Sequence, residues 1–156
     1  MYSESEYLEL KQELTADIKK EIIAFANTKG GIIYIGIDDE GNIIGLKNAD
    51  KDLEALSGMI REGIKSDLTL HTKMYIQEID TKSIIILNVE EGPNKPYYLS
   101  EKGIKTNGVF IRHGVSSTPL NEEGIKLLLK QNSASDFEKS LSNSQDLTFN
   151  YVNKTL

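Results

Sequence analysis

The residues best suited to chemistry in this 156-residue chain are two groups of carboxylates: Glu4, Glu6 and Glu9 near the N-terminus, then Asp38, Asp39 and Glu40. If the two segments meet, they supply the hard oxygen ligands that hold magnesium or manganese, and such an ion activates water and neutralises a phosphate. Glu4 and Glu9 are five residues apart, which sends them to opposite faces of a straight strand, so they converge only if the chain bends between them. Asp38 and Asp39 equally suit a solvated turn. His71 and His113 are the only histidines, and although Ser116 and Ser117 follow the second, there is no G-x-S-x-G nucleophile elbow. With no cysteine, disulfides, thiol nucleophiles and Cys-type zinc sites are excluded. Gly30, Gly31, Gly36, Gly41 and Gly45 cluster, but neither phosphate-loop fingerprint is present, and tight turns account for them.

Eighteen Lys and Arg against 24 Asp and Glu leave a net charge of −6, the wrong sign for coating a polyanion by bulk electrostatics. A nucleic acid must therefore meet a local basic patch, for which Lys11, Lys29, Lys47 and Arg112 are the candidates. No apolar run approaches the ~20 residues that span a bilayer, and the first residues lack a signal-peptide pattern, so the expectation is a cytoplasmic protein that does not engage membranes.

The elements that must position these groups read as follows. Tyr7 to Lys11 alternates as a strand, with Leu8 and Leu10 on one face and a charged outward face of Glu9 and Lys11. A helix from Ala16 to Asn27, with Thr15 as N-cap, stops at Gly30-Gly31. Ile32 to Ile37 is a central strand, and Asp38 to Asn42 turns it into a short returning strand, Ile43 to Leu46. Asn48 caps a second helix with a stripe of Leu53, Leu56, Ile60 and Ile64. Met74 to Ile79 and Ser83 to Val89 form a hairpin, Tyr97 to Leu99 and Val109 to Arg112 are further strands, and Asn121 caps a third helix. One domain is expected over residues 1–130, a Ser/Asn-rich linker over 131–146, and the start of a following region over 147–156.

Glu4-Ser5-Glu6-Tyr7-Leu8-Glu9-Leu10-Lys11, then Ile23 to Asp39 with its Ala24-Phe25-Ala26-Asn27-Thr28 and Ile35-Gly36-Ile37-Asp38-Asp39 strings, then Gly41 to Gly45, closely resemble the Schlafen Alba-like (AlbA_2) domain. Gly108 to Gly114 followed by Ser116-Ser117 resembles its closing strand and helix. The resemblance implies an α+β fold, a mixed β-sheet with helices packed on it. It also implies a DNA-binding domain at the N-terminus of a transcriptional regulator, with DNA favoured over RNA. On that reading Lys11, Lys29 and Arg112 contact phosphates, and Asn27, Thr28, Gly30 and Gly31 form a loop whose backbone N–H groups face one; Asn27-Thr28 serves equally as a helix C-cap. Related animal domains are ribonucleases with a three-carboxylate site. Carried over, that site falls on Glu4, Glu9 and Asp39, with Lys11 beside them and Leu10 in place of an aromatic residue, and implies Mg or Mn. The ribonuclease form uses two such domains, and a homodimer would supply the second. A third reading is an oligomerisation or protein-interaction module.

Overall fold

The computed structural model describes residues 2–132. The expected linker beyond residue 132 and the region 147–156 lie outside the described residues. The chain begins with a βαβ unit: β1 (Leu8–Lys11), α1 (Ile18–Ala26) and β2 (Gly31–Ile35). β1 and β2 run parallel, which needs a crossover, and α1 provides it. The second helix, α2 (Ala49–Gly63), starts where Asn48 accepts a hydrogen bond from the Lys51 N–H at 3.2 Å, the cap expected from the sequence.

The hairpin β4 (Thr72–Ile79) and β5 (Lys82–Val89) completes a four-stranded mixed sheet in the order β1-β2-β5-β4. Between α2 and that hairpin lie β3 (Ile64–Lys65) and a 3-10 turn (Thr69–His71). After it come β6 (Tyr98–Leu99), which pairs with β3, and the hairpin β7 (Phe110–His113) and β8 (Ser116–Pro119). Residues 122–132 are helical, opened by Asn121 accepting from the Gly124 N–H at 2.8 Å. This α+β architecture is the one anticipated.

Alternation along the strands sorts the core into two layers. Ile33, Ile35, Ile85, Leu87 and Val89 face α1 and α2 and form the main core with Ile22, Phe25, Leu56 and Ile60. Leu10, Ile84 and Ile86 face the other way into a smaller cluster, which no helix among the described residues covers. α1 is buried over most of its circumference because the segments β6 and β7 lie across its far side.

Three local expectations are corrected. The N-cap of α1 is Asp17 rather than Thr15, whose carbonyl instead accepts from the Ile18 N–H. Ile64 leaves the helical stripe and pairs with Leu99 as β3. Ile43 to Leu46 forms only a single bridge, Ile37 to Ile43, because the N–H groups of Ile44 and Gly45 both donate to the Gly36 carbonyl and close a tight loop.

Candidate functional site

The parity of β1 decides what its charged residues do. Leu8 and Leu10 pack into the smaller cluster, so Glu9 and Lys11 point to the helix side, next to Ile33 and Ile35 across the parallel register. The expected solvent-facing charged side is therefore inside: Glu9 is 6% exposed. A charge placed there demands partners, because an unpaired buried carboxylate costs several kcal/mol or more. α1 supplies Glu21 and β7 supplies Arg112.

Arg112 is the hub. Its Nη1 donates to Glu9 Oε1 at 2.7 Å, Ser117 Oγ at 3.0 Å and Glu21 Oε1 at 3.3 Å. Nη2 donates to the backbone carbonyls of Ser5 at 2.9 Å and Leu8 at 3.3 Å, and the guanidinium lies 4.8 Å from the Phe25 ring centre. Lys11 Nζ sits 3.1 Å from Glu21 Oε2 and 3.7 Å from Glu9 Oε2, and Ser117 donates to Glu21 Oε1. Glu4 folds back to accept from the Leu10 N–H at 3.3 Å and hydrogen-bonds to Glu9. The bend between Glu4 and Glu9 that the spacing required is thus present, in the Tyr7 turn where Ser5 bridges to Leu8.

Three carboxylates face two cations in this cluster, and one proton leaves it neutral. Burial pushes the Glu9 carboxyl up to about 7, reinforced by the Glu4 hydrogen bond and the Glu21 charge and only partly opposed by Arg112. Burial alone would lower the Lys11 ammonium, but the carboxylates of Glu21, Glu9 and Glu4 outweigh it and hold Lys11 above its ordinary value. Between about 4.5 and 7 the folded chain keeps a Glu9 proton that the unfolded chain has lost, so this group's contribution to stability is full below that window and falls as pH rises through it. The expected result is that the stability difference between Glu9→Gln and wild type changes in favour of the variant from pH 4.5 to 7.5 and is flat above. Urea midpoints taken at half-unit pH steps check it, and a pH-independent difference would refute the buried proton.

This donor set does not fit a divalent ion. Glu9 Oε1 is already held by the Arg112 guanidinium, and the third expected ligand, Asp39, is exposed in the turn after Ile37. Among the described residues no three acidic or histidine side chains are arranged to hold a metal ion. Asp38, the neighbour of Asp39, accepts from the N–H groups of Asn42 at 2.8 Å and Glu40 at 3.0 Å, and these bonds hold its carboxyl below the usual range. It organises a turn.

The expected phosphate loop is likewise a clasp. Asn27 is buried; its Nδ2 donates to the carbonyls of Tyr97 and Phe110, each at 3.0 Å, and its Oδ1 accepts from the Tyr97 N–H at 2.7 Å. Thr28 Oγ1 donates to the Ala24 carbonyl at 2.7 Å and accepts from the Arg112 N–H at 3.0 Å. The two side chains thereby stand in for a neighbouring strand and tie β6 and β7 to the end of α1. Gly30 has φ +78°, and a Cβ there would lie 2.7 Å from the Val89 carbonyl oxygen; at Gly31 it would lie 2.5 Å from the Phe25 ring. Both positions need glycine for packing.

Of the residues expected to contact nucleic acid, Lys29 is exposed, Lys11 is partly buried against carboxylates, and Arg112 and Asn27 are enclosed. Sequence reasoning did not single out Glu21, although its place in the first turn of α1, three residues beyond Ile18, was readable. His71 meets Glu90 at 3.2 Å, His113 is exposed, and among the described residues neither imidazole forms a hydrogen bond with a serine.

A two-layer α+β domain, with a βαβ start, an ionic cluster under Arg112 and an asparagine clasp, is the class these features define. The chain belongs to the Schlafen, AlbA_2 family, whose model matches residues 4–121. Its fold is similar to the crystal structure of the DIP2311 protein from Corynebacterium diphtheriae, with a TM-score of 0.57 and 20% sequence identity. That match covers 74% of this chain and 22% of DIP2311, so the chain spans about a fifth of the solved protein's length. No helix among the described residues is long and apolar enough to cross a membrane.

Proposed function

We propose that this chain is a nucleic-acid-binding domain, acting on DNA in preference to RNA, within a cytoplasmic transcriptional regulator. The observation that carries the reading is membership of the AlbA_2 family across most of the described residues. Arg112 and Lys11 serve this function indirectly, by fixing β1, α1 and β7 relative to one another, while Lys29 at the exposed end of α1 remains open to a phosphate. Two copies joined as a homodimer would engage a longer stretch of duplex and offset the unfavourable net charge.

Fluorescence anisotropy of labelled duplex DNA, titrated with the chain at several salt concentrations, tests the reading. Saturable binding that weakens with salt is expected, and Lys29→Ala is expected to reduce the log–log salt slope by about 0.9, one phosphate contact. A chain that binds neither duplex nor single strand at low salt would remove this function. Sedimentation at a series of concentrations checks the dimer.

A further inference from the structure

We infer that the helix-free face of the four-stranded sheet is a stacking platform for single-stranded DNA. The inference rests on the nucleic-acid reading and adds to it the surface and the form of the ligand. In the strand register, Tyr34 of β2, Ile86 of β5 and Tyr75 of β4 lie side by side in one row across the sheet. The next row on the same face places Asn88 beside Lys73. Two strand spacings separate the tyrosines, roughly 10 Å. Tyr75 is 48% exposed, and Tyr34 is held on edge by Tyr2, with ring centres 5.0 Å apart and planes at 89°. Burial raises the Tyr34 hydroxyl above its usual range, with smaller contributions from Tyr2 and Tyr75, as expected for a tyrosine cluster.

At the strand positions of this face the charge is opposite to that of the chain. With a net charge of −6 overall, none of the residues that the four strands turn to this side is Asp or Glu, whereas Lys73 and Lys82 are among them. The acids of these strands, Glu9 and Glu78, point to the helix side. Lys73 is exposed and has no carboxylate within salt-bridge distance among the described residues. Tyr2, Ile37 and Ile43 pack over the β1–β2 side of this face and leave Tyr75 as its exposed ring beside partly buried Tyr34. An exposed ring with a cation and an amide in the adjoining row is suited to an unpaired base: the ring stacks, the lysine takes a phosphate, the amide meets a base edge. A duplex keeps its base faces stacked inside and cannot use them. The choice of deoxyribose over ribose is carried over from the nucleic-acid reading.

The test is anisotropy of a labelled twelve-nucleotide thymidine strand, an equivalent uridine strand and a duplex, titrated with the full chain and its variants. Because the chain has no tryptophan, tyrosine emission reports stacking directly. The expected result is thymidine-strand binding with quenched tyrosine emission, weakened on the order of tenfold by Tyr75→Ala, preserved by Tyr75→Phe, and reduced in salt slope by about 0.7 by Lys73→Gln. Half-exposed Tyr75 and exposed Lys73 tolerate replacement, and circular dichroism verifies that the variants fold. Wild-type affinity in both Tyr75→Ala and Lys73→Gln, or binding of duplex without the strand, overturns the platform and leaves the nucleic-acid reading standing. Tighter binding of the uridine strand overturns the choice of DNA. Absence of binding to all three probes at low salt removes the nucleic-acid reading itself and the platform with it.

Discussion

Replacing Arg112 with Met is expected to cost about 3–5 kcal/mol of stability, the range seen when one partner of a buried ion pair is removed. The substitution keeps much of the side-chain volume over Phe25, so the loss comes chiefly from Glu9 and Glu21, which at pH 8, above the pH at which Glu9 gives up its proton, would have only Lys11 to offset their charge. The carbonyls of Ser5 and Leu8 would also lose a charged donor. Carboxylates left in this position relieve the strain by taking up protons, so the deficit is expected to shrink as pH falls toward 5. Denaturant titrations of both proteins at pH 5 and pH 8 check the size and its pH dependence. Arg112→Lys should recover only part of the loss, because a single ammonium cannot reproduce a fork that reaches two carboxylates, a hydroxyl and two carbonyls. Combining Arg112→Met with Glu9→Gln should cost clearly less than the sum of the two single changes. Loss below about 1 kcal/mol at pH 8 would mean that the cluster is solvated and that Arg112 is free for other work.

The second large effect is expected at Asn27. Replacement by Ala removes three hydrogen bonds that link positions 70 and 83 residues apart in sequence. It leaves the Tyr97 N–H, the Tyr97 carbonyl and the Phe110 carbonyl buried without that partner. At about 1 kcal/mol or more for each group left unsatisfied, a loss of roughly 3 kcal/mol is expected. Asn27→Asp is the sharper variant: it keeps the shape and the acceptor for the Tyr97 N–H, but it turns the donating amide into an oxygen facing two carbonyl oxygens. It should be at least as destabilising at neutral pH. Thermal melts give the size, and hydrogen exchange at the Tyr97 amide gives the place, since this proton should exchange much faster in either variant. An unchanged Tyr97 exchange rate would contradict the clasp.

Much of the fold was legible because it is written in local pattern. The apolar, β-branched run over Ile84 to Val89, the turn at Asp80-Thr81-Lys82 and the Asn48 and Asn121 caps are short-range signals that the structure obeys. The family was legible for the same reason: its motif strings are contiguous. The site was legible only as a set of residues. A period of two separates Leu8 and Leu10 from Glu9 and Lys11, but it says nothing about which set meets the helices. The usual inference, apolar side in, gives the wrong answer here because the sheet has an apolar cluster on both faces.

The sequence by itself determined the α+β class, the AlbA_2 membership and the identity of the charged and amide groups that matter. Tertiary structure decided their roles. Glu9, Lys11, Glu21 and Arg112 are separated by up to 103 residues, and their charges are compensated only once α1 and β7 close over β1. Asn27 looks like a helix terminus until β6 and β7 arrive with unpaired backbone groups for it to satisfy. Burial energies and hydrogen-bond geometry depend on neighbours distant in sequence, so a residue's type sets what it is able to do and the packing around it sets which of those things it does.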